Sequence, residues 1–327
     1  MLTRKRFLGA GLAALAAACN SQGNEAVKIG FIVKQPEEPW FQTEWRFAER
    51  AGAEHNFEVI KIGGTDGERV LTGIDTLGAR GAQGMIICAP DTRLGAAIQQ
   101  RAAANDLKLM SVDDRLLGAD EQPIESIPHV GISATEIGQQ VGETIAAEAG
   151  RRGWNLSEIG LLRVTFDNLE TARQRTDGAR ETLVAAGLPA ARVFDAPMRT
   201  SDTEGGFNAA NPVLARQGVL RRWAVVGMND ETVLGAVRAT EGAGLGAGDV
   251  IAVGINGSAS AHGEFQKAQP TAFYASILLD ARRHGYETTL AMYRWITENV
   301  APAMLTYTDG KVMTRENWQE LKAEQEA

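Results

Sequence analysis

Apolar and polar positions fall into alternating blocks along this 327-residue chain. Short runs rich in β-branched residues, often apolar throughout, recur at Val27–Val33, Phe57–Ile62, Gly84–Cys88, Leu107–Val112 and Ile127–Ser133. They continue at Glu158–Thr165, Arg192–Met198, Trp223–Gly227, Asp249–Ile255 and Thr271–Leu279. Runs of this length without a polar face predict strands covered on both sides. Helical spacing fills the gaps. Ile137, Val141 and Ile145 recur every fourth residue in Ala134–Gly150. Ala172, Ala179 and Leu183 share one stripe of Thr171–Ala186, and Tyr286, Leu290, Tyr293 and Ile296 do the same in Asp280–Asn299. Gly187 and Gly242 read as helix stops. Alternating strands and helices predict parallel sheets wound through right-handed crossovers. About ten strands in a chain of this length predict two doubly wound α/β domains rather than one wide sheet.

Polar groups gather where these strands stop. Val27–Val33 runs into Lys34, Leu107–Val112 into Asp113 and Asp114, Ala224–Gly227 into Met228 and Asn229, and Val250–Ile255 into Asn256. Ligands of open α/β sheets bind outside the carboxyl ends of the strands, so these groups predict a polyol-binding cleft. Lys34 and Glu38 offer a donor and an acceptor beside Trp40 and Phe41. A sugar needs both: its hydroxyls take charge-assisted hydrogen bonds and its C–H face takes an aromatic platform. A solvated loop with Trp40 packed on the domain is the competing reading. Asp113 and Asp114 read either as hydroxyl acceptors or as a turn and capping pair. Neighbours on an extended chain point to opposite sides, which argues against a face-to-face acid–base pair. Arg175 falls on the apolar stripe of its helix, in the first turns, where a guanidinium would aim into the cleft or snorkel at its rim. Asn229 and Asn256 read as helix caps or as ligand contacts.

Composition narrows the class. Arg4, Lys5 and Arg6 followed by apolar Phe7–Ala18 predict an export signal over residues 1–18, and a polar tether follows over residues 19–26. Removing those three basic residues takes the formal charge from −8 to −11, an acidic body unsuited to nucleic acid or anionic membrane surfaces. Cys19 follows Leu15-Ala16-Ala17-Ala18, a segment similar to a bacterial lipobox, which predicts a lipidated N-terminus and a membrane contact through that lipid alone; cleavage after Ala-x-Ala is the alternative. Thr3–Leu8 is similar to a twin-arginine motif with lysine in the second arginine position, against an ordinary secretory start. Cys88 is a lone thiol in an apolar run. No G-x-G-x-x-G follows the first strand, and His55, His129, His262 and His284 lack metal-ligand spacing, so no cofactor or metal is expected.

Several of these segments together resemble the bacterial L-arabinose-binding proteins, periplasmic components of ABC sugar transporters. They are Lys34–Gln42 (KQPEEPWFQ), Val112-Asp113-Asp114, Thr171–Arg175 (TARQR), Val226–Asp230 (VGMND) and Gly254–Gly257 (GING), with the style of FEVIKI and ATEGAG in support. The motifs keep their order over Val27–Asn317. The resemblance implies a type I periplasmic-binding fold, two α/β domains joined by three crossover segments. Residues 27–132 with 279–309 would form the first domain and residues 133–278 with 310–327 the second. It implies polar sugar contacts from Lys34, Glu38, Asp113, Asp114, Arg175, Asn229 and Asn256. Trp40 and Phe41 would supply aromatic surface, with Met228 nearby and Cys88 close to the pocket. Ile132 stands where the family has methionine and Leu279 where it has proline, both toward the sugar's C5 side, which bears on L-arabinose against D-galactose or D-fucose. The implied protein is a monomeric extracytoplasmic receptor, not an enzyme. Its partners would be a monosaccharide, an ABC permease and, as a further reader of the closed form, a chemoreceptor. The rivals are a receptor of the same fold for another monosaccharide, a repressor with the same core, and a carbohydrate-active enzyme using Asp113 or Asp114.

Overall fold

The computed structural model describes residues 26–327, so the segments expected to be an export signal and a lipidated Cys19, and nearly all of the expected tether, lie outside the described residues. From there strand and helix alternate: β1 (Lys28–Val33), α1 (Pro39–His55), β2 (Glu58–Gly63), α2 (Gly67–Ala79), β3 (Gly84–Cys88), α3 (Gly95–Ala104), β4 (Lys108–Asp113) and β5 (His129–Ile132). After α4 (Ala134–Arg151) come β6 (Gly160–Thr165), α5 (Glu170–Ala185), β7 (Val193–Pro197), α6 (Thr203–Arg216), β8 (Trp223–Val226) and α7 (Asp230–Gly242). The chain ends with β9 (Val250–Asn256), α8 (Ala259–Gln266), β10 (Phe273–Leu278), α9 (Thr288–Thr297), β11 (Leu305–Thr308), β12 (Lys311–Thr314) and α10 (Trp318–Glu326). β3, β6, β8 and β9 are buried at every position, because helices cover both faces of each sheet. Each such Ile, Leu or Val contributes roughly 1.5–3 kcal/mol by leaving water.

The strands form two six-stranded sheets, ordered β2-β1-β3-β4-β5-β11 and β7-β6-β8-β9-β10-β12. All pairs are parallel except β12 against β10. The chain passes between the lobes after β5, after β10, and between β11 and β12. The first and third passages lie side by side, with Thr308 opposite Ile132. Gly310 occupies the third, where a Cβ would overlap Ile277 and Gln140. Gln140 Nε2 donates to the Gly310 carbonyl at 3.1 Å.

Three local expectations change. The short edge strands β11 and β12 were not legible, being half exposed and mixed in pattern. The Ile127–Ser133 run pairs only from His129, since Pro128 has no N–H for the ladder. The 280–299 helix opens with a π-helical turn, Arg283–Glu287, where Thr288 Oγ1 bonds the Arg283 carbonyl at 2.9 Å. Gly187 takes a left-handed φ of 113° after α5, and α7 ends on Gly242 with the left-handed turn on Gly244. No helix among the described residues is long and apolar enough to cross a membrane.

Candidate functional site

The carboxyl ends of β1 and β4 and the start of α1 meet those of β8 and β9 and the start of α5 around a cavity lined by both lobes. Lys34 leaves β1 buried, and its Nζ donates to Asp114 Oδ2. Burial works against its ammonium, but Asp114, Cys88 and Asp113 outweigh it and hold Lys34 above its ordinary range. Pro39 at the first turn of α1 fixes the turn that presents Trp40 and Phe41. Trp40 Nε1 lies 3.2 Å from both Asp113 oxygens.

Asp113 and Asp114 border the same cavity. The expectation that neighbouring carboxylates diverge assumes extended backbone. Asp113 is instead left-handed, at φ 60°, a region that aspartate tolerates better than most residues. Their partners differ: Asp114 is held by Lys34 and by Cys88 Sγ at 3.4 Å, Asp113 by Trp40 and by His284 Nδ1 at 2.8 Å. Burial would raise Asp113, but His284, Lys34 and Trp40 bring it below its usual range, so it stays ionised.

From the second lobe, Arg175 reaches the cavity because α4 and α5 touch through glycines. A Cβ on Gly138 would overlap the Arg175 carbonyl. Its Nη1 donates to the Met228 carbonyl at 2.7 Å, while its buried Nε has no protein partner. Asn256, at φ 115°, likewise leaves both amide atoms buried and unpaired. A buried polar atom without a partner is costly, so these atoms mark hydrogen-bonding capacity directed at a ligand.

Of the residues singled out from sequence, Lys34, Glu38, Trp40, Phe41, Asp113, Asp114, Ile132, Arg175, Met228 and Asn256 border the cavity. Cys88, Asn229 and Leu279 do not. Cys88 stands behind Asp114. Asn229 caps α7, with Oδ1 accepting from Thr232 N at 2.9 Å, and its Nδ2 donates across the cleft to Glu38 Oε1 at 2.9 Å. The capping reading holds, and the amide faces Glu38 instead of the cavity. Leu279 is buried in the second passage, its carbonyl bonded by Gln325. Gln35, Ala134, Leu169 and Thr171 complete the wall and were not anticipated. Nor were Glu44 and His284, which lie behind Asp113. His284 is 171 residues from Asp113 in sequence, and nothing in its local pattern signals the pairing. Burial alone would lower His284, but Asp113 and Glu44 raise it to about 9.

A cavity between two parallel-sheet lobes, walled by an ammonium, carboxylates, a guanidinium, an amide and aromatic faces, is the frame for comparison with known proteins. Residues 26–313 match the family described as periplasmic binding proteins and sugar binding domain of LacI family. The chain belongs to this family. As a periplasmic-binding-family protein it is an extracytoplasmic sugar receptor and not an enzyme, which sets aside catalysis by Asp113 or Asp114. It is 49% identical over 326 residues to an "ABC transporter L-arabinose-binding periplasmic protein" of Azospirillum brasilense, covering 98% of each chain. It is 44% identical over 317 residues to the "L-arabinose-binding periplasmic protein" of Escherichia coli strain K12, covering 97% of this chain and 95% of that one. The fold is that of the periplasmic binding component of the arabinose ABC transporter from Shewanella sp. ANA-3, solved with α- and β-L-arabinofuranose. The TM-score is 0.76 at 17% identity, covering 91% of this chain and 95% of that one. It is equally that of the Caulobacter myo-inositol binding protein, with a TM-score of 0.75 at 16% identity over 90% and 95% of the two chains. The receptor thus has the two-domain type I periplasmic-binding fold.

Proposed function

We propose that this receptor captures L-arabinose in its pyranose form between the two lobes and presents the closed complex to an ABC import permease. The observation that carries the sugar reading is the cavity wall itself. Donors from Lys34, Arg175 and Asn256 and acceptors from Glu38, Asp113 and Asp114 converge beside Trp40 and Phe41. Each hydroxyl of a pyranose then finds a charged or amide partner, and its C–H face finds an aromatic ring. The choice of L-arabinose is supported by the names of two relatives at 49% and 44% identity. A ligand that touches both lobes stabilises only the closed form, which supplies the signal a permease reads. Glu38 to Asn229 at 2.9 Å and Gln35 to Ser201 at 3.3 Å are protein contacts across the closed cleft.

The same fold with D-galactose or D-fucose preferred is the second reading, because Ile132, the departure from the family at the sugar's C5 side, borders the cavity; Leu279 does not. On this account Cys19 carries a lipid that holds the receptor at the membrane after export, and Cys19→Ala releases it to the soluble fraction. A chemoreceptor would read the same closed surface.

A thermal-shift panel of pentoses and hexoses tests the assignment. Stabilisation by mass action is expected to be largest with L-arabinose. A larger shift with another sugar moves the assignment to that sugar. No shift with any of them refutes the sugar reading.

A further inference from the structure

Behind the cavity, His284 joins the ligand-facing carboxylate to the passages between the lobes. Its Nδ1 lies 2.8 Å from Asp113 Oδ1, and its Nε2 lies 2.9 Å from Thr308 Oγ1. Thr308 Oγ1 in turn lies 3.3 Å from the Gly131 carbonyl. Thr308 ends β11 at the third passage, Gly131 is in β5 at the first, and His284 follows the second. Satisfying all three contacts at once gives this chain one direction. Ionised Asp113 accepts only, so Nδ1 must carry a hydrogen. The Gly131 carbonyl accepts only, so the Thr308 hydroxyl donates to it and has just lone pairs to offer Nε2. Nε2 must then carry a hydrogen as well, and a ring with both hydrogens is an imidazolium.

We propose that His284, as a buried imidazolium, is a positioning residue that couples the ligand-facing carboxylate of Asp113 to the hinge between the lobes. This rests on the sugar-receptor reading of the cavity and deepens it. A hydroxyl accepted by Asp113 redistributes that carboxylate's hydrogen bonds. His284 transmits the change to Thr308 and Gly131, where the relative angle of the lobes is set.

The surroundings fit a charged ring. From α1, Glu44 Oε1 lies 3.5 Å from Nδ1, and the Trp40 ring packs edge-on at 5.4 Å. Neither Glu44 oxygen has a hydrogen-bond partner. Burial and the Asp113 charge push Glu44 above its usual range, and His284 pulls it back. His129 on β5 is engaged by Ser111 at 2.9 Å, and burial pushes it down to about 4, leaving it uncharged. Lys34 balances Asp114, the residue after β4. The charged residues of His284's own segment, Arg282, Arg283 and Glu287, pair with each other outside.

The test combines nitrogen NMR of the His284 ring with calorimetry, using the whole protein and Thr308→Val. Thr308 does not border the cavity. Without sugar at pH 8, the wild-type ring is expected to be doubly protonated, and Thr308→Val is expected to lower the pH at which it loses a proton. A neutral ring, or a titration unmoved by Thr308→Val, overturns the proposal, and both readouts are independent of what the cavity binds. With L-arabinose, Thr308→Val is expected to weaken binding about three- to tenfold, the value of one hydrogen bond. Its affinity is also expected to fall at lower pH than that of the wild type. Equal affinities and superimposed pH profiles overturn the coupling. A wild type that ignores L-arabinose refutes the sugar assignment instead, and the ring titration then decides the His284 relay alone.

Discussion

Single side chains decide what this cavity can hold, and they divide by how much of their role is local. Arg175 was legible because a guanidinium on an otherwise apolar helical stripe is locally anomalous. Lys34 and Asn256 were legible because each ends an apolar strand. Asp113 was only half legible: its place at a strand end is local, but the left-handed backbone that turns it beside Asp114 is not. Asn229 shows the limit from the other side, since its capping role is local and its bond to Glu38, 191 residues away, is not. Arg175→Ala removes a charged donor whose Nε is otherwise unspent. It is expected to cost about 1.5–3 kcal/mol of L-arabinose affinity, read by calorimetry, with little change in melting temperature without sugar. Unchanged affinity would place Arg175 outside the ligand's reach.

At the scale of elements, the central strands could be read from composition because burial on both faces leaves few polar positions. β11 and β12 could not, because edge strands of four residues carry too little pattern and depend on partners far away in the chain. The packing of α4 on α5 was likewise hidden, as small residues signal close approach only once the partner helix is known. Gly138→Ala drives a methyl group into the Arg175 carbonyl. It is expected to destabilise the protein by about 1–3 kcal/mol and to weaken sugar binding as well, by displacing the Arg175 backbone. At the start of α7, burial, with Glu231 beside it, raises Asp230 to about 8. Its folded form therefore keeps a proton that the unfolded chain gives up near pH 4, so stability is lost as pH rises from about 4 to about 8. Asp230→Asn keeps an acceptor for Ser258 N and removes this titration. Its melting temperature is expected to be flatter over that window than that of the wild type. A parallel decline in both would assign the pH dependence elsewhere.

For the whole molecule, two lobes of similar strand order joined by three passages make relative rotation the motion the topology allows most easily. The sequence carried the two-lobe plan through its alternation of strand and helix. It did not carry how the passages lie together, which follows from the pairing of β11 with β5. The central claim is that side chains from both lobes close on one monosaccharide. Calorimetric titration of L-arabinose into the wild type and two variants, Glu38→Ala from the first lobe and Asn256→Ala from the second, tests it most directly. One sugar per chain is expected in the wild type, and at least tenfold weaker binding in each variant. Wild-type affinity in either variant would contradict it, because the ligand would then be held by one lobe alone.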